Sequence, residues 1–520
     1  QKELGDFAVV YELNVPINQA HRIPVFTSEL HANILDPFNR GGVVIMSPEY
    51  TALRDGNSPT IPESSPTSSS ERDGTTACAE TPGELASRPM ADDNSTTPGA
   101  EPKAASLPRR VWRSIFPRPI VPRTERERRK TILEFFVLHM RPVRVRRSTL
   151  PFTHTFGLGG SSLTLIGLMV FTGVLLMLAY EPTPERAYDS VVSLQNETLF
   201  GGLVRNIHHW SANILVAVVL LHMLRVFLTG GFHGPRRFNW VLGLGLLAGV
   251  LASNFTGYLL PWDQLAYWAV TICTGMLGYV PWIGEWLQEV ARGGTEVGSA
   301  TLVIFYTFHT TLVPVALVLL MGFHFWRVRK AGGVVDPRPS GEDADEKPEY
   351  VSTLPELLMR ELVMALVLIA CVMLLAVFVD APLGAPANPG MSTNPAKAPW
   401  YFVGFQELQL HFHPLIAVVI IPGMVVLALL AIPYLRYGTE LSGPWLLTPV
   451  GRRTAIMAAV VGLTGTAFLV VLDEQVLQPG SGLPSLLGRG LVPLFLLVAV
   501  VWGFRVLLLK KYRATRAEIV

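Results

Sequence analysis

The sequence predicts an all-α integral membrane protein with about eight transmembrane helices. Apolar runs of spanning length, charges gathered at their boundaries, and four histidines paired inside two of the runs carry that reading. A hydrocarbon core of about 30 Å takes roughly 20 apolar residues in a helix. Eight stretches meet or approach that length: 157–180, 203–228, 240–260, 302–326, 362–379, 414–435, 454–472 and 489–509. The fifth and seventh are the shortest. Half of the 520 residues are hydrophobic and only 16% are charged, which fits a chain with most of its mass in lipid.

Charge fixes the expected orientation. Arg126, Arg128, Arg129, Lys130, Arg141, Arg144, Arg146 and Arg147 precede the first run. The same side carries Arg236, Arg237, Arg327, Arg329, Lys330, Arg436, Arg452, Arg453, Lys510, Lys511 and Arg513. The opposite loops carry Glu181, Glu185, Asp189, Glu285, Glu289, Glu296, Asp380, Asp473 and Glu474, with few basic residues. Basic residues stay on the cytoplasmic side, so both termini are expected there, in a bacterial cytoplasmic membrane. A net charge of +2 spread over membrane boundaries argues for a bilayer partner and against nucleic acid.

Residues 1–130 read as a separate, unstructured extension. Between about 55 and 108 the chain is rich in Ser, Thr, Pro, Gly and Asp, with too little apolar surface to fold. Its polar start shows no cleavable signal-peptide pattern. Residues 131–330 carry the histidines, 331–352 form a polar cytoplasmic linker, 353–435 begin a second half, and 436–520 hold the last two runs. The expected architecture is thus a four-helix histidine-bearing bundle plus a C-terminal four-helix half.

His208 and His222 are 14 residues apart in the second run, and His309 and His324 are 15 apart in the fourth. At about 100° and 1.5 Å per residue, these steps return to within roughly 40° and 60° of their start, about 21 Å along the axis. The second and fourth runs traverse the membrane in the same direction. His208 and His309 are therefore both near the outer face, and His222 and His324 both near the inner face. Imidazole is a common axial ligand of haem iron, so two such helices can hold two haems stacked across the membrane. His209, 13 residues from His222, points about 140° away and is a neighbour, not a ligand. His139, His154 and His233 lie in boundary segments.

Glycines repeat the interval on the neighbouring runs: Gly159 and Gly173 in the first, Gly243 and Gly257 in the third. Lacking a side chain, they leave room for a flat macrocycle. Arg205 and Arg225, three residues from His208 and His222, are candidate partners for haem propionates. Cys78, Cys273 and Cys371 form neither a CxxCH nor a CxxC site, so haem is expected to be held by histidine alone and any iron–sulfur centre to belong to another subunit.

From about 134 to 435 the chain resembles cytochrome b of the quinol:cytochrome c (cytochrome bc-type) oxidoreductases, through RNIHHWSA, HMLRVFLTGGF, TGYLLPWDQLAYWA, FYTFHT and APWYF. The 15-residue interval, PWDQ and TGGF are similar to the plastoquinol-oxidising chloroplast branch. The resemblance implies two non-covalent b-type haems, one on His208 and His309 and one on His222 and His324. It also implies a quinol-oxidising pocket at the outer face, a quinone-reducing pocket at the inner face, and coupled proton translocation. A Rieske-type iron–sulfur protein and a cytochrome c acceptor are the implied partners, in a homodimeric complex.

Three departures stand out against that family. The two halves are fused and an eighth run is present. Gly157 stands where the chloroplast branch has the cysteine for an extra covalent haem, so that haem is not expected by that route. The usual Pro-Glu-Trp-Tyr reads Ala398-Pro399-Trp400-Tyr401, with proline in place of the acid that accepts a quinol proton. Glu407, with His411 or His413 behind it, is the expected substitute, and Tyr401 the other residue at the chemistry. Pro261, Trp262 and Asp263, followed by aromatic-rich surface segments, are expected to complete the pocket with Pro399, Trp400 and Tyr401.

A dihaem anchor for a docked dehydrogenase would need no second half, and a transporter would use the histidines as proton relays. The dithionite-reduced minus oxidised spectrum of the purified chain is expected to show a b-type α-band, and a featureless spectrum would leave only the transporter.

Overall fold

A computed structural model of the chain describes residues 3–4, 9–10, 124–134, 140–336, 348–393, 396–435, 437, 446, 448–477, 484, 487–515 and 518. Contacts divide the chain into two units, Gln1–Lys103 and Ala104–Val520. In the first, β1 (Glu3–Leu4) pairs antiparallel with β2 (Val9–Val10). Most of the expected unstructured extension, with Cys78, lies outside the described residues, as do His139 and Arg436.

The second unit corrects the end of that extension. Helix α1 (Glu125–Glu134) forms where the sequence reading still expected an unstructured chain. A capping box starts it: Glu127 N–H donates to Thr124 Oγ1 (3.2 Å) and Thr124 N–H donates back to Glu127 Oε2 (3.1 Å). Ile132 on α1 is fully buried.

Among the described residues, eight helices are long and apolar enough to cross a membrane: Leu158–Met177, Gly201–Leu228, Gly234–Leu259, Ser299–Lys330, Thr353–Phe378, Ile416–Tyr434, Pro449–Gln475 and Leu487–Lys511. The number and places match the apolar runs. Large apolar side chains on these helices face outward, among them Phe171, Leu319, Phe378, Leu463 and Phe495. Such a surface is stable only against lipid or protein. The first span packs along the second, the third along the fourth, and the fifth covers the first and second. Their shared core contains Leu165, Leu215, Val216, Val250, Leu317 and Val372. The seventh and eighth spans pack on each other.

Short helices cover the outer end of the bundle: α2 (Ala187–Asn196), α3 (Gln264–Gly275), α4 (Gly284–Arg292) and α5 (Val403–His411). A second core of Leu259, Trp262, Tyr267, Val270, Leu302 and Phe305 seats α3 on the spans. Buried Arg292 at the end of α4 donates to Thr274 Oγ1 (2.8 Å) and to the Thr295 (2.9 Å) and Thr271 (3.1 Å) carbonyls. These bonds fold α4 back against α3.

The two halves are stitched at both faces. At the inner face, residues 337–347 of the expected linker lie outside the described residues, but its ends are built into the fold. Strand β3 (Arg144–Arg146) pairs antiparallel with β4 (Tyr350–Ser352), and Asp336 accepts from Arg146 Nη1 (2.6 Å) and Ser148 Oγ (2.9 Å). Residues 350–352 are therefore a strand, not linker. At the outer face, Asn206 of the second span donates to the Ala376 carbonyl (3.0 Å) and Asp380 Oδ1 (2.9 Å), and accepts from Ala381 N–H (2.8 Å).

Asn206→Ala removes all three bonds and strands buried polar groups of the second half. It is expected to lower stability by about 3 kcal/mol, read as a lower melting temperature of the detergent-solubilised protein; an unchanged melt would show that Asn206 does not hold the halves together.

Candidate haem-binding and quinol site

The second and fourth spans bring His208 and His309 together edge to face. Their ring centroids are 6.1 Å apart, with the planes inclined at 72°. Thr172 Oγ1, which donates to the Leu168 carbonyl (2.8 Å), lies 2.9 Å from His208 Nδ1 and so accepts its proton. His309 Nδ1 lies 2.9 Å from the Ser253 carbonyl, which can only accept. The network thus assigns the Nδ1–H tautomer to both rings and leaves each Nε2 lone pair free. Two metal–imidazole bonds of about 2 Å each, with about 1 Å from nitrogen to centroid on either side, call for rings about 6 Å apart. The outer pair has that spacing, and its donor set fits a bis-imidazole iron.

The second pair, His222 and His324, lies toward the other ends of the same two spans. His222 and His324 are close enough to interact electrostatically, and the Asn239 carbonyl lies beside His324.

Each of the four glycines stands opposite one of these rings. A Cβ at Gly173 would lie 3.3 Å from His208 Cε1, and one at Gly159 would lie 3.5 Å from His222 Cε1. At Gly257 it would lie 2.5 Å from His309 Cε1 and 2.8 Å from its Nδ1; at Gly243 it would lie 4.0 Å from His324 Cε1. The room each glycine leaves is taken first by an imidazole edge. The pairing follows depth, two glycines on the outer histidines and two on the inner ones.

The 15-residue interval has a local cause. Residues Phe308–Leu312 form a π-turn inside the fourth span, between α-helical Ser299–Thr307 and Val313–Lys330. A π-turn absorbs one extra residue without adding a turn. Fifteen residues therefore cover what fourteen cover in the second span, and His309 keeps the face that unbroken α-helix would have rotated away. Pro314, which has no N–H to give the preceding turn, sits at the end of the bulge.

The arginines are tied to the protein. Arg205 Nη1 donates to the Ala381 carbonyl (2.8 Å) and Gln195 Oε1 (3.2 Å), and its Nη2 donates to the Pro382 carbonyl (2.6 Å). Arg225 Nε donates to the His154 carbonyl (2.9 Å). Burial, with Arg225 beside it, holds the His154 imidazole below its ordinary range, and its Nε2 lies 2.7 Å from the Val335 carbonyl. The His209 ring packs edge-on against Trp210 at 5.1 Å, and Asn213 Nδ2 donates to the His209 carbonyl (3.0 Å).

At the outer face, Trp400 Nε1 donates to Asn213 Oδ1 (3.0 Å), which pins the 398–401 loop to the second span one turn past His208 and His209. The Tyr401 ring packs on the bundle core, and burial pushes its hydroxyl up to about 12. Phe402 packs edge-on against Phe255 of the third span. Trp262 is buried at φ 51°, a conformation held by its carbonyl accepting from Ala387 N–H (3.1 Å). The Asp263 carboxylate caps α3 through Ala266 N–H (2.8 Å) and accepts from Gly384 N–H (2.9 Å). Pro261, Trp262 and Asp263 thus form a wall zipped to the loop after the fifth span, with the acid engaged in holding it. Glu407 is on α5, two turns beyond Trp400, and faces solvent. Thr172, Ser253 and Asn213 were not singled out from the sequence. A hydroxyl or carbonyl one span away from a histidine leaves no local pattern to find.

A bundle of membrane-spanning helices that holds two histidine pairs at two depths, with glycines facing the rings, defines a transmembrane haem-binding bundle. Residues 146–332 match the family described as Cytochrome b/b6/petB. Cytochrome b6 of Synechococcus elongatus is 44% identical over 175 residues, 34% of this chain and 81% of that one. Cytochrome b6 of Synechocystis is 43% identical over 175 residues, covering 79% of its length. A chain of a hyperthermophilic respiratory Complex III superposes with a TM-score of 0.58 at 24% identity, over 70% of this chain and 92% of that one, and so shares the fold. The chain belongs to the cytochrome b/b6 family, the membrane subunit of bc-type oxidoreductases, and with it goes b-type haem binding and a role in electron transport.

Gly257→Ala and Gly243→Ala separate the two depths. The first drives a methyl into His309 at a cost of about 1–3 kcal/mol in displaced side chains and is expected to lower haem content. The second has the space for a methyl and is expected to keep it. Haem per protein, read from the pyridine haemochrome spectrum, checks both; equal content in the two variants would contradict the clearance role.

Proposed function

We propose that the chain is the dihaem cytochrome b subunit of a quinol:cytochrome c oxidoreductase that oxidises quinol at the outer face and reduces quinone at the inner face. The tautomer-fixed pair His208 and His309, 6.1 Å apart, with a second histidine pair further along the same two spans, is the observation that carries this reading. His208 and His309 would hold one haem iron and His222 and His324 the other; when bound, the haems supply one-electron carriage across the membrane. Arg205 and Arg225 stand one turn from the ligands and offer positive charge to the propionates through the N–H groups that the loop carbonyls leave.

The outer pocket lies between the Pro261–Asp263 wall and the Pro399–Tyr401 loop. Trp400 gives it aromatic surface for a quinol ring and is fixed by Asn213, while buried Trp262 stiffens the wall behind. Tyr401 keeps its proton throughout the working range, so it orients substrate by hydrogen bonding and does not serve as the base. Proline at 399 offers no proton acceptor, which passes that task to Glu407 along α5. Quinol oxidation would send one electron to a Rieske-type iron–sulfur partner and on to a cytochrome c, and the other inward. Protons would leave outside and be taken up inside. A bacterial cytoplasmic membrane with both termini on its cytoplasmic side accords with the charge pattern and the eight spans among the described residues, and the complex would be a homodimer.

Glu407→Gln is expected to lower quinol-oxidation turnover roughly a hundredfold, in the range of a lost general base, while the haem spectrum stays intact. Near-normal turnover in that variant would remove Glu407 from the mechanism.

A further inference from the structure

Asp473 ends the seventh span, far beyond the residues that match the family. Its side chain is only 4% exposed, and its Oδ2 lies 2.8 Å from Nδ1 of His411, the last residue of α5. The other nitrogen of that ring, Nε2, is 4.0 Å from Glu407 Oε2, one turn back on the same helix. Exposure rises along the row, from buried Asp473 through His411 at 14% to Glu407 at 57%. A contact that merely fastened the seventh span to α5 would need His411 and Asp473 alone. Here the second nitrogen of the ring is also directed, at the carboxylate that follows the Trp400–Tyr401 loop.

The chemistry of the row follows from its order. A carboxylate on Nδ1 selects the Nδ1–H tautomer and leaves Nε2 as the basic site. The place at the C-terminal end of α5 adds the favourable end of the helix dipole for a cation. The charged and titratable groups around the ring are Glu407 on its own helix, Asp473 on the seventh span, and His413 and Arg489 at the adjoining seam. There His413 N–H donates to the Arg489 carbonyl.

We propose that His411, held by Asp473, is the second proton carrier of the outer quinol site and takes over the proton that Glu407 accepts. This rests on the reading of the outer face as a quinol-oxidation site. In the step, the Glu407 O–H bond breaks as an N–H bond forms at His411 Nε2, across one water or after a turn of the Glu407 side chain. Glu407 returns to carboxylate, and the ring becomes an imidazolium paired with Asp473. The imidazolium then gives its proton to the outer water. No electron moves in this step, and Asp473 keeps its charge, acting as a positioning residue. The last pair of spans thereby becomes part of the quinol site that the proline at 399 left without an acid.

The test uses the purified complex, with haem content, kcat and KM for quinol oxidation measured from pH 5 to 9. Asp473→Asn is expected to keep haem content and KM while kcat falls roughly tenfold. The pH profile of its rate is expected to differ from that of the wild type, because the carboxylate that orients the proton-carrying ring is gone. His411→Gln is expected to change the profile in the same way, and Asp473→Glu to restore most of the rate. The proposal is overturned if both Asp473→Asn and His411→Gln retain wild-type kcat and profile. It is equally overturned if haem content and kcat fall together with the profile unmoved, since that marks a purely structural contact. A wild-type complex that carries haem yet oxidises no quinol would instead overturn the site reading beneath it.

Discussion

The structure turns on two imidazoles, His208 and His309, whose rings meet at 6.1 Å in apolar surroundings with each Nδ1 engaged by a neighbouring span. Left to themselves, such rings would be drawn to each other or to the nearest hydroxyl, because an unpartnered polar atom in hydrocarbon is costly. Thr172 and the Ser253 carbonyl prevent this by engaging the far side of each ring. The neighbouring glycines let the first and third spans come close enough to supply those acceptors. Ring, anchor and glycine form one unit in which the backbone of one helix sets the tautomer on another. The spacing of the spans, and with it the core around Leu165, Val216 and Val372, accords with holding the two rings at that separation.

The second half of the chain is part of the same device. The carbonyls of Ala381 and Pro382 take up the Arg205 guanidinium, and Ala381 and Asp380 take up Asn206, both on the second span within a turn of His208. Trp400 reaches the same span through Asn213. At the opposite face a short antiparallel ladder and the Asp336 contacts fasten the junction between the halves. A fused chain with fixed ends at the junction has fewer ways to separate its halves than two free polypeptides would.

Much of this was legible in the sequence because the governing periodicities are local. Apolar runs, charge asymmetry, and histidine and glycine repeats are read along one helix at a time. They place eight spans and the depth of each pair. What escaped depends on contacts between distant segments. The capping box Thr124–Glu127 was visible but sat in a stretch too polar to suggest a helix. Strand β4 falls in a segment whose composition reads as linker and is ordered only by β3. Asp473 is one of two adjacent acids at a membrane boundary, and nothing local distinguishes it from Glu474. Asp263 belongs to a motif that suggests substrate contact, yet its carboxylate is occupied by two backbone N–H groups.

The π-turn in the fourth span changes what a residue count between ligands measures. One helix reaches from ligand to ligand in fourteen residues, and its partner needs fifteen because one is absorbed in a bulge. The two intervals are the same length expressed in different backbone geometries. A difference of one between related chains is then the mark of a single inserted residue accommodated locally, with the rings left in place. Such an insertion is a historical label, useful for tracing descent and silent about the chemistry on either side of it.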